Sequence, residues 1–97
     1  MPRNQMRPIH PGEILREEYL LPLEMSANRL AERLGVPANR VSGIVNGERS
    51  VTADTALRLA KFFGTSPEFW LNLQMAFELR TAQAETDLRG VKRMKVG

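Results

Sequence analysis

The sequence has no cysteine and a single histidine, His10, among its 97 residues. The absence of cysteine excludes disulfides and thiolate metal sites, and it agrees with a reducing cytosol. Glu13 and Glu17 fall within about two helical turns of His10, but no second histidine completes a metal site with them. A histidine at a helix start, with carboxylates near the positive end of the helix, explains the same residues. We therefore expect neither a metal nor another cofactor.

Long hydrophobic runs and catalytic residue sets are also missing. No run of about 18 apolar residues is present, and the opening MPRNQMRPIH lacks the apolar core of a signal peptide. The sequence offers no nucleophile with a positioned base and no glycine-rich phosphate loop. We expect a soluble cytoplasmic protein with no membrane partner and no enzymatic activity.

The chain has only a small excess of positive charge, with a formal net charge of +3. Residues 26–50 hold four arginines and two glutamates, and residues 76–97 hold five basic and three acidic residues. These two basic segments suit phosphate binding, although a weakly basic solvated surface would have the same composition. With 42% hydrophobic residues, the chain has the composition of one small globular domain.

Two short predicted helices joined by a glycine turn form the centre of the chain, residues 26–47, SANRLAERLGVPANRVSGIVNG. Ser26 suits the N-cap of the first helix, Gly35 its end, and Pro37 the start of the second. Gly47 and the asparagine before it supply a left-handed stop. Apolar residues share one face of each helix: Ala27, Leu30, Ala31 and Leu34 in the first, Val41, Ile44 and Val45 in the second.

Small residues at the bend predict a helix-turn-helix motif. Ala31 leaves room for a second helix that crosses at a steep angle, and Gly35 can adopt a positive φ. The second helix of such a motif enters the major groove of DNA. An ordinary helical hairpin inside another bundle is the alternative.

The outward face of the second helix is small and nearly uncharged, with Gly43 expected to point directly outward. A mid-helix glycine costs about 1 kcal/mol relative to alanine, so we expect a close partner there, such as the floor of a DNA groove. Asn39 suits an adenine edge and Arg40 a guanine edge, while an idle surface position is the alternative for each residue. The predicted DNA-binding residues are Ala38, Asn39, Arg40, Ser42, Gly43, Asn46 and, in the following loop, Arg49.

The remaining patterns predict three further helices and hence an all-α, five-helix domain. Their expected limits are Pro11 to Pro22 for helix 1, Thr52 to Gly64 for helix 4, and Pro67 to about Leu88 for helix 5. We assign residues 1–10 to an N-terminal arm, residues 11–88 to a DNA-binding and dimerisation domain, and residues 89–97 to a basic flexible tail.

Helix 5 is predicted to be apolar on more than one side. Eight of the eleven residues from 69 to 79 are apolar, which is more than one helix face holds. The domain core covers one side, so the other predicts a subunit interface that includes Phe69, Trp70, Leu73 and Phe77. We expect a two-fold dimer whose second helices lie about 34 Å apart, one turn of a palindromic operator. A central core helix wrapped by the other four is the alternative.

Residues 7–74 closely resemble the HigA-type antitoxins of bacterial toxin–antitoxin modules, which are helix-turn-helix proteins related to phage repressors. The resemblance depends on HPGEIL before the motif, NGERSVT after it and SPEFWLNLQ at the start of helix 5, and it covers about two thirds of the chain. Many phage-type repressors have glutamines at the start of helix 2 and of the recognition helix. This chain has Ala27 and Ala38 there, so phosphate clamping and first-base recognition must differ.

The resemblance implies both a partner and a role. It implies that the protein neutralises a HigB-like toxin, a ribosome-dependent mRNA endonuclease, and represses its own operon as an operator-bound homodimer. It places the base-reading helix at residues 37–45 and a phosphate contact at Asn46. A stand-alone repressor without a toxin has the same DNA chemistry and is the alternative.

Overall fold

The computed structural model of the protein describes residues 7–95, which form five helices and no strand. The first helix, α1, is continuous from residue 11 to residue 23, and its segments are α-helical Pro11–Leu15, π-helical Arg16–Leu20 and α-helical Leu21–Leu23. The other helices are α2 Ala27–Leu34, α3 Ala38–Val45, α4 Ala53–Phe63 and α5 Pro67–Glu85. The all-α, five-helix prediction is therefore confirmed.

Local capping chemistry sets most of the helix boundaries. Ser26, Thr52 and Ser66 each accept a hydrogen bond from the backbone N–H three residues later, at the starts of α2, α4 and α5. Gly35 and Gly64 have φ values of 73° and 74° and end α2 and α4. These contacts satisfy backbone groups that the helix itself leaves unpaired, which is why the caps were predictable.

Pro22 does not stop α1, contrary to the sequence prediction, because the helix continues to Leu23. In the π-helical segment, the Leu21 N–H donates to the carbonyl of Arg16, five residues earlier. The regular hydrogen-bond ladder is thus already shifted before Pro22, which has no N–H of its own to place. The helix ends instead at Glu24, whose φ of 53° is left-handed.

The last helix, α5, is shorter than predicted and ends at Glu85 instead of about Leu88. Thr86 is extended, with φ −91° and ψ 125°. The carboxylate of Asp87 then accepts a hydrogen bond from the backbone N–H of Arg89 at 3.0 Å. Such local side-chain bonds compete with helical hydrogen bonding, so the chain leaves the helix here.

Both ends of the described chain lack regular structure. Residues 86–95 form neither helix nor strand and are exposed. Most of the predicted arm, residues 1–10, and the last two positions of the predicted tail, residues 89–97, lie outside the described residues. None of the helices between residues 7 and 95 combines the length and the apolar character needed to cross a membrane.

All five helices contribute to one core around Trp70, which is completely buried at 0% exposure. Its ring lies 5.2 Å from that of Tyr19 and 6.3 Å from that of Phe63, measured between ring centroids. The indole N–H donates to the hydroxyl of Thr65 at 2.8 Å, so the buried polar atom is satisfied. Other large apolar side chains with less than 2% exposure include Leu15, Leu30, Val41, Ile44 and Leu59.

Helix α1 crosses the end of α3 in direct backbone contact at Gly12. A Cβ atom on Gly12 would lie only 1.7 Å from the carbonyl oxygen of Ile44 and 3.0 Å from the Cα of Val45. Backbone atoms cannot rotate away from such a clash as a flexible side chain can. The missing side chain of Gly12 therefore fixes the distance between α1 and α3.

We predict that Gly12→Ala lowers the free energy of unfolding by at least about 2 kcal/mol, because the added methyl forces the two helices apart. Gly90→Ala is the matched control, since a Cβ at Gly90 meets no atom within 4 Å and its φ is not positive. Urea unfolding followed by circular dichroism measures both variants. Equal stability of Gly12→Ala and the parent would contradict the backbone contact.

Candidate nucleic-acid interface

Helices α2 and α3 pack across the tight bend that the sequence predicted. Ala31 of α2 is buried, and its carbonyl accepts a hydrogen bond from the Val36 N–H at 3.1 Å. Gly35 between them adopts the left-handed conformation. Val41 and Ile44 of α3 are buried and fill the angle between the two helices. The predicted helix-turn-helix geometry is confirmed.

The first turn of α3 faces solvent, and Arg40 is its only charged residue. Ala38 and Asn39 are exposed, as is Asn46 after the last turn, while Arg40 and Ser42 are half-buried. The extended N-cap residue before Ala38 starts the helix with this position outward. With exposed Arg49, six of the seven predicted DNA-binding residues keep accessible surface.

Gly43 is the exception, because it is buried and does not point into open solvent as predicted. The loop after α3 folds back over it, and the Gly43 carbonyl accepts hydrogen bonds from the N–H groups of Glu48 at 2.8 Å and Arg49 at 3.1 Å. A Cβ on Gly43 would lie 2.7 Å from Cδ and 2.8 Å from Cγ of Arg49. The space that we assigned to a nucleobase is thus occupied by the aliphatic chain of Arg49.

A concave site of about 350 Å³ lies between α3, the following loop and the start of α4. Two guanidinium groups and three hydroxyl groups line it, from Arg40, Arg49, Ser50, Thr52 and Thr55. Arginine donates several N–H bonds in a fixed planar fork, and hydroxyls add further donors. The cavity therefore has the chemistry of an anion site, and it adjoins the exposed turn of α3.

Arg40 takes part in an ion-pair network that the sequence analysis missed. Its Nη1 lies 2.5 Å from Oδ2 of Asp54, and the same oxygen accepts from Nε of Arg58 at 3.0 Å. Arg58 also donates from Nη1 to the carbonyl of Leu34 at 2.8 Å, at the end of α2. The hydrogen bonds from Arg40 and Arg58 hold the pKa of the Asp54 carboxyl below its usual range. The Asp54–Arg58 spacing was visible in the sequence, but the partner on α3 was not.

Gln74 of α5 anchors the loop that leads from α3 to α4, a role that no sequence pattern indicated. The side chain is only 6% exposed, and its Oε1 accepts from the backbone N–H of Val51 at 2.8 Å. Its Nε2 donates to Glu78 at 2.9 Å and to the hydroxyl of Ser50 at 3.3 Å. A buried amide is stable only with such partners, so Gln74 fixes the lining of the anion site.

His10 caps the start of α1. Its Nδ1 accepts a hydrogen bond from the Gly12 N–H at 2.9 Å, and its ring packs edge-on against Phe77 at 4.8 Å. Burial lowers the pKa of the imidazole, and a hydrogen bond to the backbone of Arg49 opposes this in part. Among residues 7–95, no three acidic or histidine side chains cluster closely enough to hold a metal ion.

The sequence model of the helix-turn-helix family matches residues 15–70. Virulence-associated protein I of Dichelobacter nodosus is 51% identical over 83 residues, which are 86% of this chain and 77% of that protein. A solved addiction module antidote protein of the HigA family from Coxiella burnetii is 56% identical, with a TM-score of 0.84 over 93% of this chain and 100% of its own. The chain belongs to the HigA family of helix-turn-helix proteins.

Another structural neighbour of this HigA-family chain has been solved on DNA. Antitoxin GraA in complex with its operator is 49% identical, with a TM-score of 0.88 over 94% of this chain and 95% of its own. The family comprises DNA-binding antitoxins and transcription regulators, and the chain is accordingly not an enzyme.

The four residues of α5 predicted for a HigA dimer interface have different environments. Trp70 is fully buried in its own chain, so it has no surface to offer a second subunit. Phe69 is 37% exposed, and Leu73 and Phe77 are half-buried. The last two line an apolar groove of about 350 Å³ between α5 and the start of the chain, together with Arg7, Ile9, Ile14, Ala76 and Arg80.

Proposed function

We propose that this protein is the antitoxin of a HigB/HigA-like toxin–antitoxin module. In this role it acts in the cytoplasm, represses its own operon by binding a palindromic operator as a dimer, and neutralises an mRNA-cleaving toxin. Operator binding is supported by the solvent-facing first turn of α3, which lies beside an anion site with two arginines. The solved complex of the similar antitoxin GraA with its operator supports DNA binding by this chain.

The two halves of this surface are suited to different parts of the duplex. Exposed Ala38, Asn39 and half-buried Arg40 lie on the first turn of α3, where recognition helices contact base edges. Arg49 and the hydroxyls of the adjoining cavity are suited to phosphate oxygens. Gly43 contributes indirectly in this proposal, since its lack of a side chain lets Arg49 cross the end of α3.

We predict different effects for the two arginines of the anion site. Arg40→Ala lowers operator affinity by about 1–3 kcal/mol and relaxes sequence choice at one position, because a base contact is lost. Arg49→Ala weakens binding to all sequences alike and lowers the salt slope by about one, because a phosphate contact is lost.

Fluorescence anisotropy with operator and scrambled duplexes at several salt concentrations measures both effects. Lys61→Ala, near the other end of α4, is the control for loss of one positive charge. If Arg40→Ala and Arg49→Ala bind both duplexes like the parent, the DNA surface lies elsewhere.

Dimerisation is proposed through the apolar groove beside α5. The groove contains two of the predicted interface residues, Leu73 and Phe77, and the partly exposed Phe69 precedes them on the same helix. Apolar side chains that remain accessible after folding are typical of subunit contacts. A two-fold axis through this groove would pair two copies of α3 on successive turns of the duplex.

We predict that Ala76→Lys makes the protein monomeric and lowers operator affinity, because it buries a further positive charge in a groove that Arg7 and Arg80 already line, without removing a core side chain. Ala82→Lys places the same charge on an exposed position of α5 outside the groove and leaves the dimer intact. Light scattering at micromolar concentration gives the mass. A dimeric Ala76→Lys variant, or a monomeric parent, would overturn this interface.

Neutralisation of a toxin is tested by coexpression with the adjacent reading frame of the same operon. We expect a small RNA-cleaving protein to copurify with this protein, and its cleavage of mRNA on ribosomes to be lost when this protein is added in equimolar amount. An unrelated helix-turn-helix protein is the control. Operator binding without any copurifying partner would instead identify a stand-alone repressor.

A further inference from the structure

Asp54 holds the one arginine of α3 in a defined position. Arg40 lies in the first turn of α3 and Asp54 in the first turn of α4, so their ion pair joins two helices. Arg58 binds the same carboxylate oxygen and also the Leu34 carbonyl at the end of α2. Three helices therefore fix the carboxylate, and the carboxylate in turn fixes Arg40.

The low solvent exposure of Arg40 agrees with a side chain that is fixed in one position. The side chain of Arg40 is 33% exposed, whereas that of Arg89, which is paired with Asp87 in the C-terminal segment, is 91% exposed. A long side chain that is already ordered loses less entropy when it binds a partner. Its guanidinium has five N–H donors, and the contact with Asp54 leaves donors available for a base edge.

The same contact offsets the positive charge of Arg40. A free arginine at this place would attract any phosphate, and each neutralised phosphate adds a sequence-independent, salt-dependent contribution to affinity. An arginine that is already paired gains little from an arbitrary phosphate, because it must share or give up its carboxylate. It still gains from a base edge placed in line with its remaining donors.

We propose that Asp54 is a specificity-determining residue that acts through Arg40. It positions the guanidinium for operator recognition and suppresses the contribution of that guanidinium to binding of unrelated DNA. This inference rests on the proposed DNA binding of the protein. It adds a positioning residue on α4, outside the helix-turn-helix itself.

The test compares affinity for operator and for a scrambled duplex in Asp54→Asn, which keeps the shape of the side chain and removes its charge. We expect affinity for the scrambled duplex to rise about three- to tenfold, with a salt slope steeper by about one, because Arg40 becomes free to neutralise a phosphate. Operator affinity stays about the same, because the lost positioning of Arg40 offsets the gain from its free charge, so the ratio of the two affinities falls about three- to tenfold. Asp54→Glu keeps the charge and retains most of the ratio.

Two controls separate this effect from a general change in charge. Glu48→Gln removes the same charge from the exposed loop after α3, without touching the Arg40 network, and it should shift both affinities alike. In an Arg40→Ala background, Asp54→Asn should leave the ratio unchanged. Thermal melting of each variant establishes that it is folded.

The proposal is overturned if Asp54→Asn leaves the ratio unchanged, if Glu48→Gln lowers it equally, or if Asp54→Asn still lowers it without Arg40. Failure of the proposed function itself has a different signature. In that case the parent protein would already bind operator and scrambled duplex with the same affinity.

Discussion

A backbone contact without an intervening side chain determines where α3 lies. Gly12 places α1 so close to the end of α3 that the carbonyl of Ile44 occupies the space of a Cβ atom. Because α1 also delivers Leu15 and Leu20 to the core, this contact ties the position of α3 to the packing of the whole domain. A surface that must match a rigid groove benefits from such support, since less freedom is lost on binding.

Polar side chains from the helices behind the motif complete this support. Gln74 of α5 holds the backbone of Val51, and Asp54 of α4 holds Arg40. The first contact fixes the loop after α3 and the second fixes a side chain of α3 itself, and both of these elements face the proposed duplex. A helix-turn-helix of this kind is therefore not an independent unit, and the chemistry of its exposed face depends on residues from the second half of the chain.

The parts of the fold that follow from local rules were predictable. Hydroxyl caps such as Ser26 and left-handed glycines such as Gly35 act within a few residues, so the sequence contains both partners of each contact. Gly43 shows the limit of this reasoning. Its small size correctly indicated a close neighbour, but the neighbour was Arg49, which arrives there only because the intervening loop folds back.

Contacts between distant segments were not predictable for the same reason. Nothing near Gln74 indicates that its partner is the N–H of Val51, 23 residues earlier. The apolar residues of α5 correctly indicated that this helix contributes to the core, but counting them did not show that Trp70 faces the core while Leu73 borders a groove. On a helix segment with apolar residues on several sides, the packing of the neighbouring helices decides which side chains face the core.

The position of Trp70 has a practical consequence for measurements on this protein. It is the only tryptophan in the sequence, it is completely buried, and its N–H is bonded to Thr65. Its intrinsic fluorescence therefore originates from one site in the middle of the core, with Tyr19 and Phe63 as ring neighbours. Emission from this single tryptophan reports the integrity of the hydrophobic interior without a label, separately from events on the outer faces of the molecule.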